Sequence, residues 1–511
     1  MSTLPLTLIV IIIVLSVRTL FSHLQSWQLR EYRWDRMRGY LRTKQGRWNL
    51  INFWFFRGIL PRPHFTGRIC LIILIFLGLN FILAFLPVTL QLHEILVDGK
   101  FYIWQFLLKY LPLSSWELAI ISGLVCFERL IWLTTALAVF VSSFPVAIER
   151  KNTFQKLEIF MKASDPRIVK VGIAGSFGKS STKNMLLHLL REKFGAANVL
   201  STPGNMNQEY SIARLMLKNK DFFRSSESHH KKFFVFEAGA YARGEIKAIA
   251  KVVKPDYCLL TGLNSQHLET FGSIKNIQKA KTELAEYTTK KSFFNSDNQL
   301  LSQAMEEVQT KSQKIPVSIE EAQEIESDTH QTRFIYHGKR ITIPWPGRFF
   351  VINALLCLNF LEEFQTPAHM SMVTEDSFDR LPSQEKALKT ETHAQGFQIF
   401  KDIYSQNPDG TMQAIDHLGS FKGHRIFIGT PFLELADKSY QTHQELFQAL
   451  KAINAVVYWT KEDFKDLGQN MLGEHFHMAD HETIKSAMET WDNHTAVLLE
   501  GRLSDSILRF F

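Results

Sequence analysis

Three apolar stretches dominate the first 150 residues. Leu4 to Val17 reads LPLTLIVIIIVLSV, Ile69 to Leu92 reads ICLIILIFLGLNFILAFLPVTLQL, and Leu130 to Ala147 reads LIWLTTALAVFVSSFPVA. Each predicts a membrane-spanning helix, and the second is long enough on its own to cross about 30 Å of hydrocarbon. The first lacks a basic start and a small-x-small cleavage site, so it reads as an uncleaved anchor. A further apolar region, Phe101 to Phe127, is broken by Pro112 and reads as an interfacial or re-entrant segment or a fourth span. After Pro166 the pattern changes. Ile168–Ala174, Lys232–Phe236 and Tyr257–Leu263 are short apolar runs that predict strands, while the stretches from about Lys183 to Phe194 and Ile274 to Glu286 have helical periodicity. Strands alternating with helices predict an α/β fold with parallel sheets. Thr332–Tyr336 and Arg340–Ile343 predict a hairpin, and Glu362–Glu391 an inter-domain connection.

Charge sharpens this picture. The chain of 511 residues carries a formal charge of +8, yet Met1 to Arg68 alone holds eleven Arg and Lys against two acids. The rest of the chain is close to neutral. The basicity therefore belongs to one loop between apolar stretches, which argues against nucleic-acid binding and for a cytoplasmic loop beside a membrane. Parity then places the N-terminus outside and everything after Arg150 in the cytoplasm, as in a multi-pass protein of a bacterial inner membrane. Trp27, Trp34, Trp48 and Trp54 in the loop suit a headgroup-level surface, where a membrane lipid or a lipid-linked precursor would be met. Cys70, Cys126, Cys258 and Cys357 are scattered, which excludes a disulfide framework or a Cys-rich zinc site. The expected domains are a membrane domain at 1–150 with its basic loop at 18–68, a nucleotide-binding domain at 151–345 and a Rossmann-like domain at 346–511.

The candidate chemistry begins at Gly175-Ser176-Phe-Gly178-Lys179-Ser180-Ser181. A strand, a Gly-rich turn with Lys-Ser and then a helix form a phosphate-binding loop. Backbone N–H groups cradle phosphates, Lys179 reaches the β/γ-phosphates, and Ser180 offers an oxygen to Mg²⁺. The glycine of the strict motif would fall at Ile173, and Gly172 is one residue early. Glu237 ends the next long strand, a place suited to a metal ligand. His267 follows another strand, and on its own reads more readily as a surface histidine. Lys281 lies on the helix beyond it.

These segments resemble the central ATPase domain of the Mur ligases. GSFGKSSTKNML resembles the family's phosphate loop and helix. Thr202-Pro-Gly-Asn205-Met-Asn207-Gln-Glu209 resembles T-x-G-N-x-N-N-E, and Glu237-Ala-Gly-Ala with Gly244-Glu245-Ile246 resembles E-x-G-A…G-E-I. Asn264-Ser-Gln-His267-Leu-Glu, Ala280-Lys281-Thr-Glu283 and Asn295-Ser-Asp297-Asn298 resemble A-H-L-E, A-K-x-E-I and N-A-D-D. A weaker likeness continues through Pro346-Gly347…Asn353-Ala354, Asp402-Ile-Tyr404-Ser-Gln-Asn407-Pro408 and Glu500-Gly501-Arg502, the last standing where the family has K-G-S-R.

The resemblance implies an ATP-dependent ligase that forms an amide through an acyl phosphate. Gly175, Ser176, Gly178, Lys179, Ser180 and Ser181 would bind ATP, with Asn353 at the adenine and Asp402 at the ribose. Ser180, Glu237, His267 and a carbamylated Lys281 would serve Mg²⁺. Lys179, His267 and Lys281 carry the expected catalysis. Asn205, Asn207, Glu209, Tyr404 and Asn407 are expected at the substrates, a wall precursor and a small amino-acid or dipeptide amine. Phe349, Phe350, Ser405 and Glu500 depart from the family pattern. They throw the amine into doubt, and Phe349, Phe350 and Glu500 motivate one rival, a nucleotide-binding membrane scaffold without activity; the other rival is a poly-γ-glutamate-synthase-like ligase, which is also membrane-associated and Mur-like, and which the T-x-G-N-x-N and G-E-I segments disfavour.

Overall fold

The computed structural model describes residues 3–30, 63–89 and 115–511, with 32–34, 37, 38 and 41, and without 205, 225–230, 266–267, 329, 366–373, 383–388, 404–407, 433–434, 436–437 and 502. It divides into two compact units, Met1–Asn152 and Thr153–Phe511.

The first unit is helical: α1 Thr3–Leu29, α2 Gly67–Thr89 and α3, which begins at Ser115 and runs on to Lys162. Leu24, Trp27, Ile72, Phe76, Ile131, Ala138 and Val139 are buried where the three helices meet. Their other faces expose Val10, Ile13, Val14, Leu74, Leu77, Leu133, Leu137, Phe140 and Phe144. Among the described residues every exposed large apolar side chain except Ile159 and Tyr440 lies before residue 150.

Two expectations are corrected here. The basic loop does not begin at Arg18, because α1 continues to Leu29 and takes Arg18 into its interior. The third apolar stretch is not a separate helix starting at Leu130, because the apolar run upstream of it joins the same helix from Ser115. Among the described residues Ile131–Lys162 is long and apolar enough to cross a membrane, and Gly67–Asn80 is a shorter apolar stretch. Pro112 and most of the basic loop lie outside the described residues.

The second unit holds two six-stranded sheets. The central one has the order β2-β3-β1-β4-β5-β6, all parallel, formed by Val199–Ser201, Phe233–Ala238, Val169–Ala174, Tyr257–Leu260, Lys291–Asn295 and Gln313–Val317. Buried on both faces, the inner strands β3, β1 and β4 read as largely apolar runs. Val169, Val171 and Ile173 face one core, Phe234, Phe236 and Ala174 the other. Gly172 belongs to this packing and not to the phosphate loop. A Cβ there would meet Leu284 Cδ1 at 2.8 Å and Phe236 Cζ at 3.0 Å.

The predicted hairpin forms as β8 Thr332–Tyr336 and β9 Lys339–Ile343, joined to β7 Gln323–Ser327 in a small antiparallel sheet. The helix Phe350–Glu362 is apolar all round and packs into the core of the central sheet, so the Rossmann-like domain does not begin at 346. Its sheet begins at Lys389, with the order β10-β11-β15-β12-β13-β14. These strands are Lys389–Thr392, Gln398–Asp402, Thr495–Glu500, His424–Gly429, Val456–Trp459 and Phe476–Met478, all parallel except β10.

Candidate active site

The site starts from the turn between β1 and the helix Lys179–Phe194, here α4. Its sharpness needs glycine. Gly178 has φ +74°, a left-handed conformation that costs other residues energy. Gly175 is packed so closely that a Cβ would strike Thr261 Oγ1. The turn is strapped to the end of β4: Ser176 N donates to Gly262 O at 2.7 Å, and Thr261 Oγ1 donates to Phe177 O. The result is a rigid cradle at the N-terminus of a sixteen-residue helix, at the C-terminal edge of a parallel sheet, where α/β folds bind phosphates.

Lys179 Nζ donates to Ser176 O at 3.0 Å, and burial holds its ammonium below the usual lysine range, partly offset by Glu237. Ser180 Oγ donates to Glu237 Oε2 at 2.9 Å, joining the helix start to the end of β3. Asn207 Nδ2 donates to Glu237 Oε1 at 3.2 Å, and Asn207 O accepts from Gly239 N at 2.8 Å. The predicted ATP, metal and acceptor segments thus converge on one carboxylate. Hydroxyl, carboxylate and amide oxygens form the hard donor set that Mg²⁺ prefers. Among the described residues no cluster of three or more His, Cys, Asp or Glu completes a metal site.

Lys281 lies in the same neighbourhood, on the helix Ile274–Glu286. It is buried, and its Nζ donates to Ala240 O at 2.8 Å. Burial first and the charge of Lys179 second bring its pKa down to about 7, against the pull of Glu245, Glu237 and Glu283. An amine that is neutral near pH 7 is a nucleophile. Asn353 is buried next to the phosphate turn, its Oδ1 2.9 Å from where a Cβ on Gly178 would stand. Asp402 stands apart from this group, at the end of β11 in the other sheet. His267, Asn205, Tyr404 and Asn407 lie outside the described residues, and Glu209 opens the helix Glu209–Lys218.

Lys183, not singled out from the sequence, and Glu283, quoted there only within a motif and given no role, complete the arrangement. Lys183 is buried, donates to Thr202 O at 3.1 Å and to Gly204 O, and pairs with Glu237 Oε2 at 3.4 Å. Its signal was its place four residues after Lys179, on the same helix face. Glu283 accepts from Gly244 N at 2.7 Å and Lys247 N at 2.9 Å, anchoring the start of the helix Glu245–Val253. Asn295 and Asn298 bond the 261–263 turn, giving the N-S-D-N segment a positioning task.

A phosphate cradle, an acid at the next strand and a buried lysine of lowered pKa on a parallel sheet define a nucleotide-binding centre suited to phosphoryl transfer. Residues 173–361 match the Mur ligase middle domain. The UDP-N-acetylmuramoyl-tripeptide–D-alanyl-D-alanine ligases are similar to the chain. That of Escherichia coli K12 is 26% identical over 348 residues, covering 64% of this chain and 72% of its own length. That of Bacillus subtilis 168 is 25% identical and matched over 58% of its length, so the chain spans little more than half of some relatives. Among solved structures, MurF from Acinetobacter baumannii superposes with a TM-score of 0.60 at 18% identity, over 71% of this chain and 80% of that one. MurF from Thermotoga maritima with ADP gives 0.58 at 21%, over 71% and 83%. These two share the fold.

Proposed function

We propose that the chain is a MurF-like ligase that joins a dipeptide amine, D-Ala-D-Ala in the named relatives, to the carboxylate of a muramoyl-tripeptide precursor. The observation that carries this reading is the convergence of Ser180, Asn207 and Glu237 beside Lys179. One carboxylate there joins the phosphate loop to the segment expected to meet the acceptor. Lys179 and the loop amides would hold the β- and γ-phosphates while the γ-phosphoryl passes to the acceptor carboxylate. The amine then attacks the acyl phosphate carbon, the C–N bond forms, and inorganic phosphate leaves. Such transfer depends mainly on positioning and charge neutralisation. Ser180 and Glu237 would hold Mg²⁺, which would neutralise charge on the phosphate oxygens. Neutral Lys281 would add to CO₂ with loss of a proton, and the carbamate oxygens would serve as further ligands.

The membrane reading is part of the proposal. The outward apolar faces of α1, α2 and α3 support it, since such area is rare on a water-facing monomer. The catalytic unit would then lie on the cytoplasmic side, where ATP is available, and the acceptor could be lipid-linked.

The test is phosphate release by the detergent-solubilised protein with Mg²⁺-ATP and D-Ala-D-Ala, supplied with UDP-MurNAc-tripeptide or its lipid-linked form, and mass spectrometry of the product. Amide formation with either acceptor is expected. Failure with both, despite ATP binding, would overturn the substrate assignment.

A further inference from the structure

The turn between β2 and the helix Glu209–Lys218 is held against the end of β3 at several points. Thr202 N donates to Val235 O at 3.2 Å, and Glu237 N donates to Thr202 Oγ1 at 3.2 Å. Further on, Gly239 N donates to Asn207 O at 2.8 Å, and Asn207 lies so close that a Cβ on residue 239 would meet its Cγ at 2.8 Å. Between these two fixings the chain passes Lys183 of α4. Its buried ammonium meets the carbonyls of Thr202 and Gly204 and Oε2 of Glu237 together. An ammonium carries three donors on a rotating head, so its hold can be redistributed among these oxygens.

Glu237 is where two tasks meet. Its Oε2 accepts from Ser180 Oγ at 2.9 Å and faces Lys183 Nζ at 3.4 Å, and its Oε1 accepts from Asn207 Nδ2 at 3.2 Å. One oxygen thus belongs both to the groups suited to Mg²⁺ and to the ion pair that anchors the turn. Both members of that pair are buried, so salt and water screen them little. A divalent cation held by Ser180 and Glu237 would add positive charge beside a buried ammonium. Like charges repel, and burial makes the repulsion stronger than at a surface. Lys183 need not leave the site to relieve it, because two carbonyls of the turn already receive it. Its hold would pass from the carboxylate to Thr202 O and Gly204 O. A buried ion pair is weak evidence for stability alone, since well-packed apolar side chains serve as well. Its place beside the nucleotide loop gives this pair a second task.

We infer that Lys183 is a positioning residue that links metal binding at Glu237 to the fastening of the 202–207 turn, the segment expected to meet the acceptor. Its charge weakens metal binding, and the interaction displaced from Glu237 strengthens the turn. The link runs both ways, because a coupling free energy between two sites is reciprocal. It rests on the ligase reading of the site.

The test uses the full-length, detergent-solubilised protein saturated with ADP. Electron paramagnetic resonance of Mn²⁺ reports the metal. Hydrogen exchange of the peptide 202–209, followed by mass spectrometry with and without Mg²⁺, reports the turn. In the unaltered protein Mg²⁺ should slow exchange in that peptide. Lys183→Met should bind Mn²⁺ about tenfold more tightly, because no ammonium opposes the ion. Exchange in its 202–209 peptide should be faster and should no longer respond to Mg²⁺. A lysine that only props up the fold would give the opposite sign, since a loosened site binds the ion more weakly. Lys183→Gln removes the charge and keeps a donor for the carbonyls. It should also tighten Mn²⁺, and it carries the test if Lys183→Met fails to fold. Mn²⁺ affinity unchanged or weakened in the folded variant, or a Lys183→Met peptide that still responds to Mg²⁺, would overturn the inference and leave the ligase reading intact. No Mn²⁺ bound by the unaltered protein would instead overturn the metal assignment at Ser180 and Glu237, and the inference with it.

Discussion

Lys183 and Glu237 form an ion pair at 3.4 Å with both side chains only 2% exposed. Lys183 also holds the carbonyls of Thr202 and Gly204, so one ammonium fastens the chain after β2 to the acid at the end of β3. Removing one member of a buried pair leaves an uncompensated charge and costs about 3–5 kcal/mol. Lys183→Met should therefore lower the unfolding free energy by about 3 kcal/mol, read from the urea midpoint by tryptophan fluorescence. The double variant Lys183→Met with Glu237→Gln should lose less than the sum of the single changes. Additive losses would show that the two residues are not coupled.

Gly178 and Asn353 offer a second handle. Alanine at 178 would need φ +74° and would place its Cβ 2.9 Å from the Asn353 amide oxygen. The strain falls on the turn whose amides are to meet the phosphates. Gly178→Ala should weaken ADP at least tenfold in equilibrium titration while the far-ultraviolet circular dichroism stays unchanged. Unaltered ADP affinity would mean that the turn does not hold the phosphates.

What the sequence made legible follows its physical signals. The central strands were visible because strands buried on both faces leave largely apolar runs, and the phosphate turn because glycine and lysine have few substitutes there. The helix Phe350–Glu362 was assigned to the wrong sheet because an all-round apolar helix does not say which core it enters. The start of α3 is not legible in the sequence because Glu128-Arg129 interrupts the apolar pattern between Ser115 and Leu130, although the helix continues through it. Lys183 was missed because a lysine on a helix is usually solvated, and only the fold turns it inward. Glu500 appeared as a departure from a family pattern. Its pairing with Asp402 needed the register of two strands nearly a hundred residues apart in sequence.

Lys179 tests the phosphate assignment from the side of turnover. Its ammonium donates to Ser176 O of the cradle. Losing one preorganised charge at a transferring phosphoryl group costs on the order of a hundred- to a thousandfold in turnover. Lys179→Ala should show that loss in phosphate release while the far-ultraviolet circular dichroism stays unchanged. Retained amide formation would remove Lys179 from the mechanism.

Lys281 gives the sharpest pH signature. Its pKa is about 7 in the folded protein, from burial first and Lys179 second. An unfolded lysine titrates near ~10.4, so between about 7 and about 10.4 the unfolded chain binds a proton that the folded chain lacks. Stability from this residue therefore rises with pH across that window, and the full penalty is present below 7. Lys281→Met should flatten the slope of urea midpoint against pH there, and an unchanged slope would contradict the lowered pKa. The same shift prepares the carbamate. At pH 7 roughly half of Lys281 is neutral, against roughly one in 2,500 for an ordinary lysine. Turnover should climb as pH approaches 7, fall when CO₂ and bicarbonate are stripped, and recover when bicarbonate returns. Lys281→Ala should be strongly impaired and partly rescued by acetate, which supplies the missing carboxylate oxygens. Activity indifferent to bicarbonate, together with a fully active Lys281→Ala, would leave the buried lysine a structural residue and require the metal to be held by Ser180 and Glu237 with other ligands.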